Sequence, residues 1–136
     1  MDDPGLDALF ALAETVRHRA HAPYSRFLVG AAIEAETGEH FAGCNVENIA
    51  YPQSQCAEAG AIAAMVAGGA RRIRRIVILG GPAETGPIAC APCGGCRQRL
   101  AEFADKSTEI WFGPTRGALT RHSMEGLLPA AFESLE

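Results

Sequence analysis

Three cysteines and one glutamate carry the chemistry this chain could perform. Cys56-Ala57-Glu58 and Pro92-Cys93-Gly94-Gly95-Cys96 each fall where a helix is expected to begin. A Cys-x-x-Cys pair can hold a metal with both thiolates from one turn. It can equally be a dithiol redox couple, or two small core residues. Cys56 weighs on the metal side. A helix N-terminus concentrates unpaired N–H groups and partial positive charge, and that environment lowers a thiol's pKa and favours thiolate. Two such helices aimed at one point would gather three thiolates. Three protein ligands plus an open position is the layout of a catalytic zinc rather than a structural one, and such a zinc can acidify a water molecule. That chemistry needs a proton carrier. Glu58, two residues beyond a ligand, can set its carboxylate beside the metal without binding it. Alone, it would read as an ordinary first-turn glutamate favoured by the helix dipole; between these motifs it reads as a proton shuttle.

The elements that must position these residues follow from periodicity. Asp3 can cap a helix with Pro4 in its first turn, and Leu6, Leu9, Phe10, Ala13 and Val16 then share one face before the pattern fades over 18–23. Residues 27–35 (FLVGAAIEA) read as a strand, 36–39 as a turn, and 40–46 as a second strand completing a hairpin. Irregular chain runs to Pro52. Ser54 is expected to cap a helix through the alanine-rich stretch to Met65 and Val66, ended by Gly68-Gly69. Residues 75–79 (RIVIL) read as a buried strand, 80–91 as a loop, 93–103 as a helix and 108–112 as a further strand, with a short helix or turn near Leu127-Leu128. The order α-β-β-α-β-α-β combines a hairpin with strand–helix–strand crossovers, so a mixed sheet covered by helices is expected, a three-layer α/β domain.

Composition narrows the function classes. The chain has 136 residues, of which 48% are apolar, enough for one domain with a real core. A net charge of −4 argues against a nucleic-acid binder. The basic run Arg71, Arg72, Arg74 and Arg75 reads as a solvated turn into a strand rather than a phosphate patch. The start, MDDPGLDALF, does not resemble a signal peptide, and no apolar run is long enough to span a bilayer, so a cytoplasmic protein is expected. In a reducing compartment five cysteines point to metal or catalysis before disulfides. Cys44 reads as a buried strand residue; Cys90 is a conceivable fourth ligand, but a closed site would leave Glu58 without a purpose. His18, His21, His40 and His122 show no metal-ligand spacing.

Zinc deaminases combine His/Cys/Cys or three-Cys ligands with a glutamate that is not a ligand. The chain resembles the free-nucleoside cytidine deaminases, in particular their small homotetrameric, three-cysteine branch. The likeness runs from about residue 22 to 132, through Ala22-Pro23-Tyr24-Ser25, Phe27-Leu28-Val29-Gly30-Ala31-Ala32, Asn45-Val46-Glu47-Asn48, Tyr51-Pro52, Cys56-Ala57-Glu58 and Pro92-Cys93-Gly94-Gly95-Cys96-Arg97-Gln98. It implies one cytidine-deaminase-like domain over 1–136, of three-layer α/β/α form with a mixed five-stranded sheet. It implies Zn2+ on Cys56, Cys93 and Cys96, with Glu58 passing protons during hydrolysis of cytidine and deoxycytidine to uridine and deoxyuridine. Phe27 would pack on the pyrimidine, Asn45 and Glu47 would bond the ribose, and the backbone N–H groups near Ala57 and Cys93 would orient the ring and the water. Tyr51 and Phe132 would complete a neighbouring subunit's pocket in a homotetramer with shared active sites. The plain alternatives are core packing for Phe27, loop-backbone bonding for Asn45 and Glu47, and a C-terminal anchor for Phe132. A polar pair built for hydroxyls discriminates strongly against ligands lacking them, which favours a small-molecule nucleoside over a free base; no basic path suits tRNA or DNA, and no membrane is implied.

One departure bears on the metal. The branch usually places an arginine after Cys-Ala-Glu, bonded to the cysteine ligands; here that residue is Ala59, followed by Gly60 where threonine is common. Three thiolates on Zn2+ leave a net charge of −1 that opposes acidifying a bound water, and the helix N-termini and Arg97 are the candidates to offset it. Gln53-Ser54-Gln55 is also unusual before the ligand. A deaminase of another aminopyrimidine nucleoside, such as a cytosine nucleoside antibiotic, is the nearest competing reading. A zinc-stabilised binding protein without catalysis and a thiol redox protein are the others.

Overall fold

In the computed structural model, which describes residues 2–133, the periodic apolar positions settle on two faces of one sheet. Helix α1 (Pro4–Arg17) starts at Asp3, whose carboxylate accepts the Leu6 N–H at 3.0 Å. Strands β1 (Phe27–Ala35) and β2 (His40–Cys44) form the expected antiparallel hairpin, and β3 (Ile73–Pro82) pairs antiparallel to β1 on its other side. Strand β4 (Glu109–Phe112) lies parallel to β3, and β5 (Thr120–His122) antiparallel to β4. The order β2-β1-β3-β4-β5 is therefore a mixed five-stranded sheet.

Alternation along the strands divides the core. Ala32, Val77 and Leu79 point towards Leu6, Leu9 and Ala13 of α1. Their neighbours Ala31, Ile33, Ile76 and Ile78 point the other way, towards Ala57, Ala61 and Met65 of α2 (Ala57–Ala67) and Leu100 of α3 (Gly94–Phe103). Three layers result, with α2 and α3 together on one face. The helix α2 comes very close to β2: a Cβ built on Gly43 would stand 2.3 Å from the Ala61 nitrogen, so that position takes no larger residue without moving the helix. The short α4 (Met124–Leu127), capped by the Ser123 hydroxyl, closes the described chain against α3.

Several boundaries differ from the periodic reading. The strand expected over 40–46 ends at Cys44, because Val46 turns away to exchange both backbone bonds with Gln55 at 2.8 and 2.9 Å. That bridge holds Gln55 extended, so α2 begins after Cys56; the Ser54 hydroxyl accepts the Asn48 N–H at 3.0 Å instead of capping the helix. Strand β3 outruns the expected 75–79 at both ends, since β1 offers partners from Ala35 to Phe27. Strand β5, three residues of Thr-Arg-His, carried no apolar alternation to reveal it. The arginine run is structural: Arg75 pairs with Asp3 at 2.8 Å and Glu34 at 3.0 Å, and the Glu36 carboxylate accepts the backbone N–H groups of Arg71 and Arg72.

Candidate metal centre and substrate pocket

Cys56 is the residue before the first turn of α2, Cys93 the residue before the first turn of α3, and Cys96 lies within that turn. None of the N-terminal N–H groups of either helix is taken by a capping side chain. The three sulfurs lie within 4.8 Å of one another, and among the described residues no other group of three cysteine, histidine or acidic side chains comes together this way. Hydrogen bonding from Cys96 pulls the Cys56 thiol down to about 6, helped by Cys93 and the Arg99 charge against the cost of burial. Cys96 moves up correspondingly, as the proton holder of the pair in a buried position. Soft sulfur donors this close, with one already favouring thiolate, fit a zinc ion. Cys90 is outside the three-sulfur group; it lines the adjoining cavity, and burial, then the Glu58 and Cys93 charges, push its thiol up.

Glu58, in the first turn of α2, is 4% exposed. Burial first, and then the Cys56 charge, raise its pKa, while its own backbone N–H and the Cys96 thiol pull the other way. A carboxyl group held towards its protonated form beside a thiolate cluster is suited to gain and lose a proton within one turnover. Glu58, Cys56 and Cys93 open on a cavity of about 270 Å³ whose lining includes Val29, Asn45, Glu47, Ala57 and Cys90, while Cys96 is buried behind them. At its rim Glu47 accepts the backbone N–H groups of Tyr24 and Ser25 at 3.0 and 3.1 Å and a short bond from the Ser25 hydroxyl. The Ser25 hydroxyl, foremost, keeps this carboxylate below its ordinary range. Asn45 spans to β1, its Oδ1 accepting the Val29 N–H and its Nδ2 donating to the Phe27 carbonyl, both at 2.8 Å. One amide N–H and one oxygen lone pair remain for a ligand.

The other expected contacts are placed differently. Phe27 opens β1 with its ring near Gly80 and half-buried. Tyr51 is 68% exposed and meets Tyr24 edge-on, with centroids 5.6 Å apart. Phe132 is 71% exposed and lines a separate hollow of about 980 Å³ between α3 and the C-terminal segment, which shares no residue with the cysteine site. Neither aromatic enters the cavity of its own chain. Arg97, a sequence candidate for balancing the thiolates, is engaged elsewhere: it donates to the Pro92 carbonyl at 2.8 Å and the Leu127 carbonyl at 2.9 Å. The guanidinium that reaches a ligand is that of Arg99, with Nη1 3.8 Å from the Cys96 sulfur. The three-residue spacing on one helix was the signal available for it.

Three thiol ligands at two helix N-termini, a buried carboxyl beside them and a small polar-rimmed cavity define a zinc-dependent hydrolytic enzyme of the deaminase kind. A family profile described as the cytidine and deoxycytidylate deaminase zinc-binding region matches residues 5–111. A cytidine deaminase of Sporosarcina psychrophila is 38% identical over 128 residues, 93% of this chain and 90% of that protein. One from Halalkalibacterium halodurans is 33% identical over 129 residues, 93% of this chain and 95% of the relative. The crystal structure of cytidine deaminase from Burkholderia pseudomallei superposes with a TM-score of 0.82 at 38% identity, covering 93% of this chain and 98% of the other. The chain belongs to the cytidine and deoxycytidylate deaminase family.

Proposed function

We propose that the chain hydrolyses cytidine and deoxycytidine to uridine and deoxyuridine, releasing ammonia. The observation that carries this reading is Glu58, buried beside the Cys56–Cys93–Cys96 cluster at the head of a cavity whose rim holds Asn45 and Glu47. Cys56, Cys93 and Cys96 would hold zinc, which when bound supplies Lewis-acid activation of the water that adds to C4 of the cytosine ring. Glu58 takes a proton from that water as it adds and delivers it to N3, then takes the second proton from the new C4 hydroxyl and passes it to the departing amine, so that ammonia leaves as the C4 carbonyl forms. The remaining N–H of Asn45 and the ionised Glu47 bind the sugar hydroxyls, while Phe27 packs on the pyrimidine.

The whole of residues 1–136 acts as one catalytic domain, working in the cytoplasm in pyrimidine salvage; none of the helices described is long and apolar enough to cross a membrane. Four copies assemble, with Tyr51 and Phe132 of one subunit completing the pocket of another, in keeping with their exposure on the single chain.

The test follows cytidine absorbance and ammonia release in a sample whose zinc content is measured alongside. Wild-type protein should turn over with about one zinc per chain, and Glu58→Gln should lose turnover by roughly four orders of magnitude or more while retaining the metal. Ammonia release that survives Glu58→Gln would refute the proton-shuttle assignment. Zinc without any turnover of cytidine or deoxycytidine would refute the substrate assignment.

A further inference from the structure

The charge of the metal centre leaves a gap that one residue can fill. Three thiolates around a divalent ion carry one net negative charge, and such a centre is tuned by the hydrogen bonds and charges its sulfurs receive. Position 59, one turn into α2, holds alanine and offers no cation. Arg97 is spent on the Pro92 and Leu127 carbonyls. Arg99 lies one turn beyond Cys96 on α3, and its Nη1 is 3.8 Å from the Cys96 sulfur. Among the described residues, that sulfur is the only side-chain or backbone partner Arg99 has, and it forms no ion pair with any carboxylate. A guanidinium on an exposed helical surface has no need to fold back on its own helix; here it does so over the first turn, where a Cβ on Gly95 would stand 3.4 Å from Nη1. The glycine between the two ligands of α3 keeps that path open.

We propose that Arg99 is the positioning residue that balances the charge of the three-cysteine centre, supplying from α3 the cation that Ala59 cannot supply from α2. Arg99 does not line the cavity, so its influence runs through the ligand it bonds. With Nη1 3.8 Å from the Cys96 sulfur, its positive charge lies against the ligand set and offsets the excess negative charge that three sulfurs would place on a divalent ion, which would strengthen retention of that ion and the acidity it confers.

This inference rests on the zinc-deaminase reading of the same site. The experiment compares Arg99→Leu, Arg99→Gln and Arg99→Lys with wild type, measuring zinc affinity by competition with a chromogenic chelator, then kcat and KM for cytidine. Circular dichroism serves as the folding control. Leu and Gln variants should bind zinc about tenfold more weakly and lose kcat by a similar factor with KM unchanged, and the Lys variant should recover most of both. If Arg99→Leu does not fold, the Gln and Lys pair decides the matter, since the cation is what separates them. Zinc affinity and kcat within about twofold of wild type in both neutral variants would overturn the role of Arg99 while leaving the deaminase reading intact. A wild-type protein that neither retains zinc nor turns over cytidine would overturn both.

Discussion

Glu47 and Glu58 line one cavity, and their surroundings move them in opposite directions. Burial and the neighbouring Cys56 charge favour the protonated form of Glu58, whereas the Ser25 hydroxyl and two backbone N–H groups favour the ionised form of Glu47. On the proposed function, a proton carrier and a fixed acceptor for sugar hydroxyls would thereby be made from the same side chain. A carboxyl-carbon NMR titration should place Glu47 below the ordinary glutamate value of 4.5. Because the folded value is depressed, whatever stability Glu47 gives the 24–25 segment is present above that ordinary value. It disappears as pH falls through the lower, folded one. Wild type and Glu47→Gln should therefore differ in thermal stability at neutral pH and converge in strong acid; a difference that persists there would refute the assignment. At this scale the sequence was informative about residue types and less so about reach. The gathering of Cys56, Cys93 and Cys96 with Glu58 nearby was legible because Cys-x-Glu and Cys-x-x-Cys fix which side chains share a helix turn. Arg97 and Arg99 are both arginines near Cys96, and only the path of each side chain separates the one that bonds carbonyls from the one that bonds sulfur.

At the scale of elements, the placement of Cys56 and Glu58 depends on how closely α2 lies on β2. Gly43 and Gly60 face each other across that contact but have unequal room. A Cβ on Gly43 would strike backbone of α2 at 2.3 Å, whereas one on Gly60 would meet its nearest neighbour at an ordinary 3.6 Å. Gly43→Ala should destabilise the protein by about 2 kcal/mol or more and depress turnover by displacing the helix that carries Cys56. Gly60→Ala, in a helix interior with space available, should stabilise by about 0.5–1 kcal/mol. Denaturant unfolding of the two variants checks both signs, and equal effects would mean the close approach is not what fixes the helix. Helix α1 and the first hairpin were legible because their apolar residues repeat with a clear period, while α2 was legible from its alanine-rich stretch ended by Gly68-Gly69 and α3 from its place after Pro92. The start of α2 was not, since the bridge between Val46 and Gln55 is a contact between distant segments that outweighs the capping preference of Ser54. For β5, a polar three-residue edge strand, local sequence holds no signal, and only its pairing with β4 defines it. The fifth strand was expected from the family resemblance, not from periodicity.

For the molecule as a whole, the single chain leaves Ile49, Tyr51 and Phe132 uncovered at 80%, 68% and 71% exposure. The proposed tetramer would cover Tyr51 and Phe132 with neighbouring subunits. Sedimentation should show a tetramer, and a chain truncated before Phe132 should lose turnover while keeping its circular dichroism and its zinc. A fully active monomer would refute the shared pocket. The ligands themselves have a consequence of another kind. Cys56 and Cys93 stand on either side of α2, β3 and the loop after it, so a metal held by both closes a ring of roughly 37 residues that contains the sheet's central strand. Because such a site forms only in the folded chain, the binding free energy of the ion would add directly to its stability. The reactive centre would in this sense also be a clasp: an ion recruited for chemistry would tie the start of α2 to the start of α3 around β3, the strand that pairs with β1 and β4, and its loss would loosen the middle of the sheet.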